Sequence, residues 1–188
     1  MTRLLLSCLI SLTLARPALA QFNADALKKA AGDAEKTVGD EAKKRGKAVA
    51  DDKIEKRVNA KLLAEARKNQ CAFKTDSDEF QGKCDAKVQR LFDALVDAKK
   101  AIVSSGVSAF KFEVSGHTDS RGSAEHNKEL SLKRAAKMVA ELKKKGIPEN
   151  EIIAVGKGSE ELLVKPDNTA KKQARNRRYE IRVRLQTH

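Results

Sequence analysis

The chain has 188 residues, a length that suits one ordinary domain and a smaller segment. Its 39 Lys and Arg residues against 26 Asp and Glu give a formal net charge of +13, a balance that suits nucleic acid, an anionic membrane surface or an anionic wall polymer. The absence of Trp and the single Tyr leave no aromatic set for base stacking, which argues against nucleic acid.

The first twenty residues predict a secretory signal peptide. Arg3 gives a positive start, residues 4–15 form an apolar stretch too short to span a bilayer, and Ala-Leu-Ala at 18–20 is a small-x-small cleavage site. We expect the mature chain to start at Gln21, and export is a second argument against nucleic acid. The alternative is a lipid-modified Cys8, which requires a full apolar stretch before the cysteine, whereas only seven residues precede it.

Residues 21–69 predict a helical or partly disordered spacer. They are rich in Ala, Lys, Asp and Glu, which favours helix, and no further apolar run in the chain is long enough to cross a membrane. Because large apolar residues are few, we expect this segment not to form a core, and residues 22–69 are a candidate contact for a protein partner. A thin apolar stripe keeps helical spacing: Leu27, Ala31, Ala34, Val38, Val49, Ile54, Val58 and Leu62.

Residues 70–188 predict the folded domain, which opens with a short strand at residues 71–73 and a polar loop. Cys71 and Cys84 flank this loop. In an oxidising compartment, an even pair of cysteines across a short loop is most simply a disulfide. A two-cysteine metal site is the alternative, but the loop contains no His and the spacing is not that of a C-x-x-C motif.

Helix and strand patterns alternate after this loop. Asp85 is a good N-cap for a helix whose apolar residues follow the 3.6-residue period: Val88, Leu91, Leu95, Ala98 and Ile102. Phe110, Phe112 and Val114 then alternate with polar residues, as in a strand with one buried face. A polar junction and a second helix follow, and Gly146 is the expected C-cap of that helix.

Two more strands complete the predicted domain. Residues 152–155 form a short apolar strand, and a helical piece at residues 169–174 leads to the clearest strand, at residues 178–185, where apolar and charged residues alternate. The order βαβαβ(α)β predicts an α+β fold, a two-layer sandwich with helices on one face of the sheet.

The candidate site lies at the junction between the first long strand and the second helix, at residues 116–134, which read GHTDSRGSAEHNKELSLKR. Loops held by rigid elements are where binding groups concentrate. Asp119 follows the strand and Arg134 lies on the first turns of the helix. A carboxylate accepts hydrogen bonds from an ammonium group, and a guanidinium grips a carboxylate with two parallel bonds, so the pair would suit a zwitterion.

The same junction resembles the OmpA-like C-terminal peptidoglycan-binding family over roughly the last two-thirds of the chain. The shared marks are GHTD, a Gly three residues later, N..LS..RA and a downstream NRR. The resemblance implies a mixed sheet and binding, without cleavage, of the unamidated end of meso-diaminopimelate in the peptidoglycan stem peptide. Asp119 and Arg134 match the two principal ligand residues. The resemblance implies supporting roles for Thr118, Asn127, Leu130, Ser131 and Arg178, with Asn127 and Ser131 expected to order the loop.

Other functional classes find less support in the sequence. His117, Asp119 and His126 match no zinc spacing, and there is no nucleophile elbow, acid pair, phosphate loop or dinucleotide fingerprint, so we expect neither an enzyme nor a cofactor. The alternative function is a basic structural or polyanion-binding exported protein that uses Arg178, Arg182 and Arg184. We favour an exported cell-wall adaptor or anchor in the periplasm, associated with the wall or peripheral to the outer membrane.

Overall fold

The computed structural model describes residues 24–186, so the predicted signal peptide lies outside the described residues. Four α-helices and three strands follow in the order α1, α2, β1, α3, β2, α4, β3, with a 3₁₀ turn at Glu149–Glu151 before β2. Their bounds are α1 Ala24–Lys68, α2 Asp85–Ser104, β1 Phe110–His117, α3 Ala124–Lys145, β2 Ile152–Gly156, α4 Ala170–Asn176 and β3 Arg178–Leu185. Within the described part, no helix combines the length and apolar character needed to cross a membrane.

The sheet is mixed and has the strand order β2-β1-β3. β1 pairs in parallel with β2 and antiparallel with β3, so Val114 lies beside Ala154 on one side and Ile181 on the other. The alternation of apolar and polar residues on β1 and β3 puts Phe112, Val114, Ile181 and Val183 in the core. The predicted α+β class with a mixed sheet is therefore confirmed.

The strand predicted at residues 71–73 is not part of this sheet. It forms a single antiparallel bridge between Phe73 and Phe80. Backbone bonds at both sides of the bridge close the intervening polar residues into a small loop: Lys74 donates to Glu79, and Gln81 donates to Ala72. A stretch this short satisfies its backbone groups locally, and we call residues 71–84, which the Cys71–Cys84 disulfide closes, the disulfide loop.

The two long domain helices pack their predicted faces into the core. On α2, all five apolar positions predicted from the 3.6-residue period are buried. Asp85, however, is the first residue of α2 and not its N-cap, a position that Cys84 occupies without a side-chain cap bond. On α3, Ser123 caps the N-terminus by accepting a bond from the His126 backbone N–H, and Gly146 ends the helix in the left-handed conformation at φ 118°.

Helix α1 passes through two compact units of the chain, which divide between Lys43 and Lys44. In the first unit, every side chain from residue 28 to residue 43 is exposed. In the second unit, four apolar residues spaced by four are buried in the domain core: Ile54, Val58, Leu62 and Ala66. The segment was expected not to form a core of its own; this part of α1 instead contributes residues to the core of the domain. One narrow apolar stripe does not itself make a core, but it suffices to cover a domain that presents a matching apolar surface.

Side chains near the end of α1 also bond to the free edge of strand β3. The Asn59 amide donates to the Val183 carbonyl at 3.1 Å and accepts from the Val183 N–H at 2.7 Å. Glu55 accepts from the Leu185 N–H at 3.1 Å. These bonds satisfy backbone groups that an edge strand otherwise leaves unpaired.

Candidate ligand-binding site

A cavity of about 700 Å³ opens at the C-terminal end of β1. Its walls come from three segments: the disulfide loop, the junction between β1 and α3, and the junction between α4 and β3. Six of the seven predicted ligand-binding residues line this cavity: Thr118, Asp119, Asn127, Leu130, Arg134 and Arg178. A space of this size falls in the range of small-molecule sites.

Asp119 is a buried carboxylate held by two guanidinium groups. Its Oδ1 atom accepts from the Arg121 backbone N–H at 3.2 Å and from Arg121 Nε at 3.1 Å. Its Oδ2 atom accepts from Arg121 Nη2 at 2.9 Å and from Arg177 Nη1 at 2.8 Å. Burial alone would raise the pKa of Asp119, but the hydrogen bonds from Arg121 and Arg177 outweigh it and lower the pKa to about 2. The carboxylate is therefore ionised at any physiological pH.

Arg134 projects from α3 toward the disulfide loop and is also buried. Its Nε donates to the Ser77 carbonyl at 2.9 Å, its Nη2 donates to the Lys74 carbonyl at 3.2 Å, and its guanidinium lies 5.2 Å from the centre of the Phe73 ring. Burial, and then the nearby charge of Arg177, lower the pKa of Arg134. The two loop bonds use part of the donor capacity of a guanidinium, which has five N–H groups.

The structure thus brings Asp119 and Arg134 to one cavity, but each is bonded to other groups. Asp119 is paired with Arg121 and Arg177, whereas Arg134 is bonded to loop carbonyls. The cavity therefore presents one buried negative group and at least two buried or half-buried positive groups. An anion and a cation joined in one small ligand match this arrangement.

Two further buried polar residues line the cavity without a hydrogen-bond partner among the described residues. They are His117, through both ring nitrogens, and Thr118, through its hydroxyl. Burial, and then the charge of Arg178, lower the pKa of His117 to about 4, so its imidazole is neutral near pH 7. Buried polar groups are nearly always hydrogen-bonded, so these atoms mark positions where a ligand or water can bond.

The two residues predicted to order the loop, Asn127 and Ser131, both hydrogen-bond to backbone groups. Asn127 lines the cavity and donates to the Arg121 carbonyl at 2.8 Å. Ser131 is fully buried outside the cavity lining, and its hydroxyl accepts from the Gly158 N–H at 2.9 Å. A Cβ at Gly116 would collide with the Ser131 carbonyl, so α3 approaches β1 this closely because residue 116 is glycine.

At the downstream NRR, the two arginines have different partners. Arg178, the predicted residue, donates to Glu180 at 2.8 Å and to the Glu161 carbonyl at 3.1 Å. Its neighbour Arg177 is the one that bonds Asp119. Sequence reasoning missed Arg177, although the motif contains it, and it missed Arg121, which has no distinguishing signal beyond its place two residues after Asp119.

The described residues contain no group of three or more His, Cys, Asp and Glu side chains that could hold a metal ion. His126 lies on the cavity wall but pairs with Asp76, at 2.6 Å, and not with His117.

Fold and cavity together define a small α+β domain with a charged cavity at one end of its sheet. The OmpA family model matches residues 72–177, more than half of the chain. The chain therefore belongs to the OmpA family.

Known proteins resemble parts of this chain. Outer membrane protein A of Bordetella avium is 37% identical over 95 residues, which are 50% of this chain and 46% of that protein, so the chain matches about half of this relative's length. The crystal structure of the peptidoglycan-associated lipoprotein from Burkholderia pseudomallei has a TM-score of 0.52 at 24% identity, covering 64% of this chain and 93% of that one. The cell wall anchor of the T6SS from Pseudomonas aeruginosa has a TM-score of 0.50 at 22% identity, covering 69% and 97%.

Proposed function

We propose that this domain binds peptidoglycan without cutting it, by recognising the zwitterionic end of meso-diaminopimelate in the stem peptide. The observation that carries the proposal is the pair of oppositely charged, buried side chains in one cavity, Asp119 and Arg134. Because charge-assisted hydrogen bonds are the strong ones, oppositely charged groups at one cavity favour a ligand that carries both complementary charges. Membership of the OmpA family supports a wall ligand.

Each group of the ligand has a proposed partner. Asp119 accepts from the ammonium group, and Arg134 donates to the carboxylate with help from Arg177, whose charge lies close enough to lower the pKa of Arg134. Thr118 offers an unpartnered hydroxyl to the polar end of the ligand. Leu130 lines the cavity and packs against the methylene carbons. Arg178 acts indirectly, because its bonds to Glu180 and Glu161 fix the wall beside His117.

The cellular role that we propose is an exported adaptor or anchor at the cell wall in the periplasm. The names of two structural neighbours, a peptidoglycan-associated lipoprotein and a cell wall anchor, support this place. The exposed part of α1, which precedes the domain core, is available for the protein partner that we propose for residues 22–69.

The test is calorimetry with a diaminopimelate-containing muropeptide at fixed salt, supported by a pulldown with purified sacculi. Asp119→Ala and Arg134→Ala should each weaken binding by about 30-fold or more, because removing one partner of a desolvated charged pair typically costs about 2 to 5 kcal/mol. The exposed Lys133, on the same helix as Arg134, provides a control: Lys133→Ala should bind like the wild type. Folded variants of Asp119 and Arg134 with unchanged affinity would refute the proposal, and release of soluble muropeptides would show an enzyme.

The alternative, a polyanion-binding protein, receives less support from the charges on the open face of the sheet. Arg182 donates to Glu180 at 3.0 Å, and Arg184 lies 3.7 Å from Glu113, so carboxylates partly neutralise both arginines. A polyanion-binding protein would lose affinity steeply with salt and would be insensitive to Asp119→Ala.

A further inference from the structure

In this structure, two arginines of the chain already donate hydrogen bonds to the Asp119 carboxylate, to which the ligand's ammonium group would bind. An ionised carboxylate has about four acceptor positions. Asp119 receives four hydrogen bonds, three from Arg121 and one from Arg177. An ammonium group can therefore reach Asp119 only if one of the guanidinium groups leaves.

Arg121 is the group that can leave. Its side chain is 65% exposed, compared with 39% for Arg177. The loop does not depend on that side chain, because two backbone bonds hold residue 121: its N–H donates to Asp119, and its carbonyl accepts from Asn127. Moving the guanidinium into solvent would break two bonds to Asp119 and leave the backbone bond in place.

We propose that Arg121 competes within the chain for Asp119 and thereby makes the cavity selective for ligands that carry an ammonium group beside their carboxylate. This inference rests on the proposed function, since it concerns the same ligand. A ligand with both charges replaces Arg121 by its own ammonium, so the negative charge of Asp119 stays compensated throughout. A ligand with only a carboxylate has nothing to offer Asp119 and leaves Arg121 where it is.

Loss of Arg121 should therefore change the affinity for the two ligand types differently. For the zwitterion, Arg121 is a competitor, and removing it should tighten binding. For a ligand whose amine is blocked, Arg121 adds positive charge next to the carboxylate that is bound, and removing it should weaken binding or leave it unchanged. A purely steric role for Arg121 would affect both ligands alike.

Calorimetry on the full chain can separate these cases. The probes are a diaminopimelate muropeptide with its free amine and the same muropeptide acetylated at that amine. Arg121→Ala should bind the free-amine probe about two- to fivefold more tightly than the wild type, the range expected from losing an exposed ion pair. The acetylated probe should bind Arg121→Ala no more tightly than the wild type. Arg121→Lys retains the charge without the two-pronged geometry and should lie between the wild type and Arg121→Ala.

The matched control is Arg184→Ala, which removes the same charge from an exposed arginine paired with Glu113 outside the cavity lining. It should leave the affinity for both probes unchanged. Equal tightening of both probes by Arg121→Ala, or weaker binding of the free-amine probe, would overturn the competitor role while leaving the proposed function intact. If neither the wild type nor Arg121→Ala binds the free-amine probe, the proposed function fails and this inference fails with it.

Discussion

Arg177 donates a 2.8 Å hydrogen bond to Asp119. Arg177 directly precedes β3, and Asp119 lies two residues after the end of β1. The two positions are 58 residues apart in the sequence. Because β3 runs antiparallel to β1, its first residues lie beside the last residues of β1, and Arg178 is paired in register with His117. The sheet topology thus delivers a counter-charge to Asp119 that the local motif does not contain.

The first prediction separates the two neighbouring arginines. Arg177→Ala removes one of the side-chain bonds that hold the Asp119 carboxylate, so the pKa of Asp119 should rise from about 2 toward its ordinary value of 3.8. The measurement is a carboxyl ¹³C NMR titration. Arg178→Ala is the matched control: it should leave the pKa of Asp119 in place and raise that of Glu180, to which Arg178 donates. Equal effects of both variants on Asp119 would contradict this assignment.

The second prediction concerns the pH dependence that His117 gives to stability. Its pKa is lowered from 6.5 to about 4 in the folded protein, so the unfolded chain binds this proton first as the pH falls. Stability should therefore drop between about pH 6.5 and pH 4, by at most about 3 kcal/mol. Urea unfolding at several pH values should show a smaller drop for His117→Gln than for the wild type.

The control for this titration is His126→Gln, at a half-exposed position on the cavity wall. It should keep the drop between pH 6.5 and pH 4. Four neighbouring charged groups also affect the pKa of His117: Arg178, Glu180, Glu161 and Lys157. An identical pH profile for His117→Gln and the wild type would show that folding does not lower the pKa of His117.

Sequence patterns predicted the parts of this molecule that depend on local periodicity. The alternation on β1 and β3 and the apolar spacing on α2 correspond to the observed elements, and the polar junction holds Asp119 and Arg134 at one cavity. The missed features depend on contacts between distant segments. The residues next to Arg121 and Arg177 in the sequence do not indicate which carboxylate each arginine pairs with. The carbonyls that accept from Arg134 belong to a loop whose backbone conformation cannot be predicted from a sequence pattern.

The third prediction tests how much the end of α1 contributes to the domain. Ile54→Ala should lower the free energy of unfolding by about 2 to 5 kcal/mol, as expected for truncating a buried Ile in a packed core. Val38→Ala is the control, because Val38 is 68% exposed on the same helix and should have little effect. Chemical denaturation measures both. A chain beginning at Lys44 should fold like the full chain, whereas one beginning near Lys68 should lose stability.

The last prediction joins the disulfide to ligand binding. The Cys71–Cys84 bond closes the loop whose carbonyls, at Lys74 and Ser77, accept the two hydrogen bonds of Arg134. Replacing both cysteines with Ala should lower stability by about 3 kcal/mol, the cost expected for releasing a loop of this length. The same variant should also bind the muropeptide more weakly, because a loosened loop no longer fixes the direction of Arg134.

Two measurements distinguish this effect on Arg134 from general destabilisation. Calorimetry is performed well below the melting temperature of the variant, where the domain is folded. Ile54→Ala, which destabilises the domain at a core residue outside the cavity lining, should keep wild-type affinity under the same conditions. Non-reducing peptide mapping of the wild type first checks the bond itself. Wild-type affinity in the folded double-cysteine variant would show that α3 and Phe73 suffice to hold Arg134 without the covalent link.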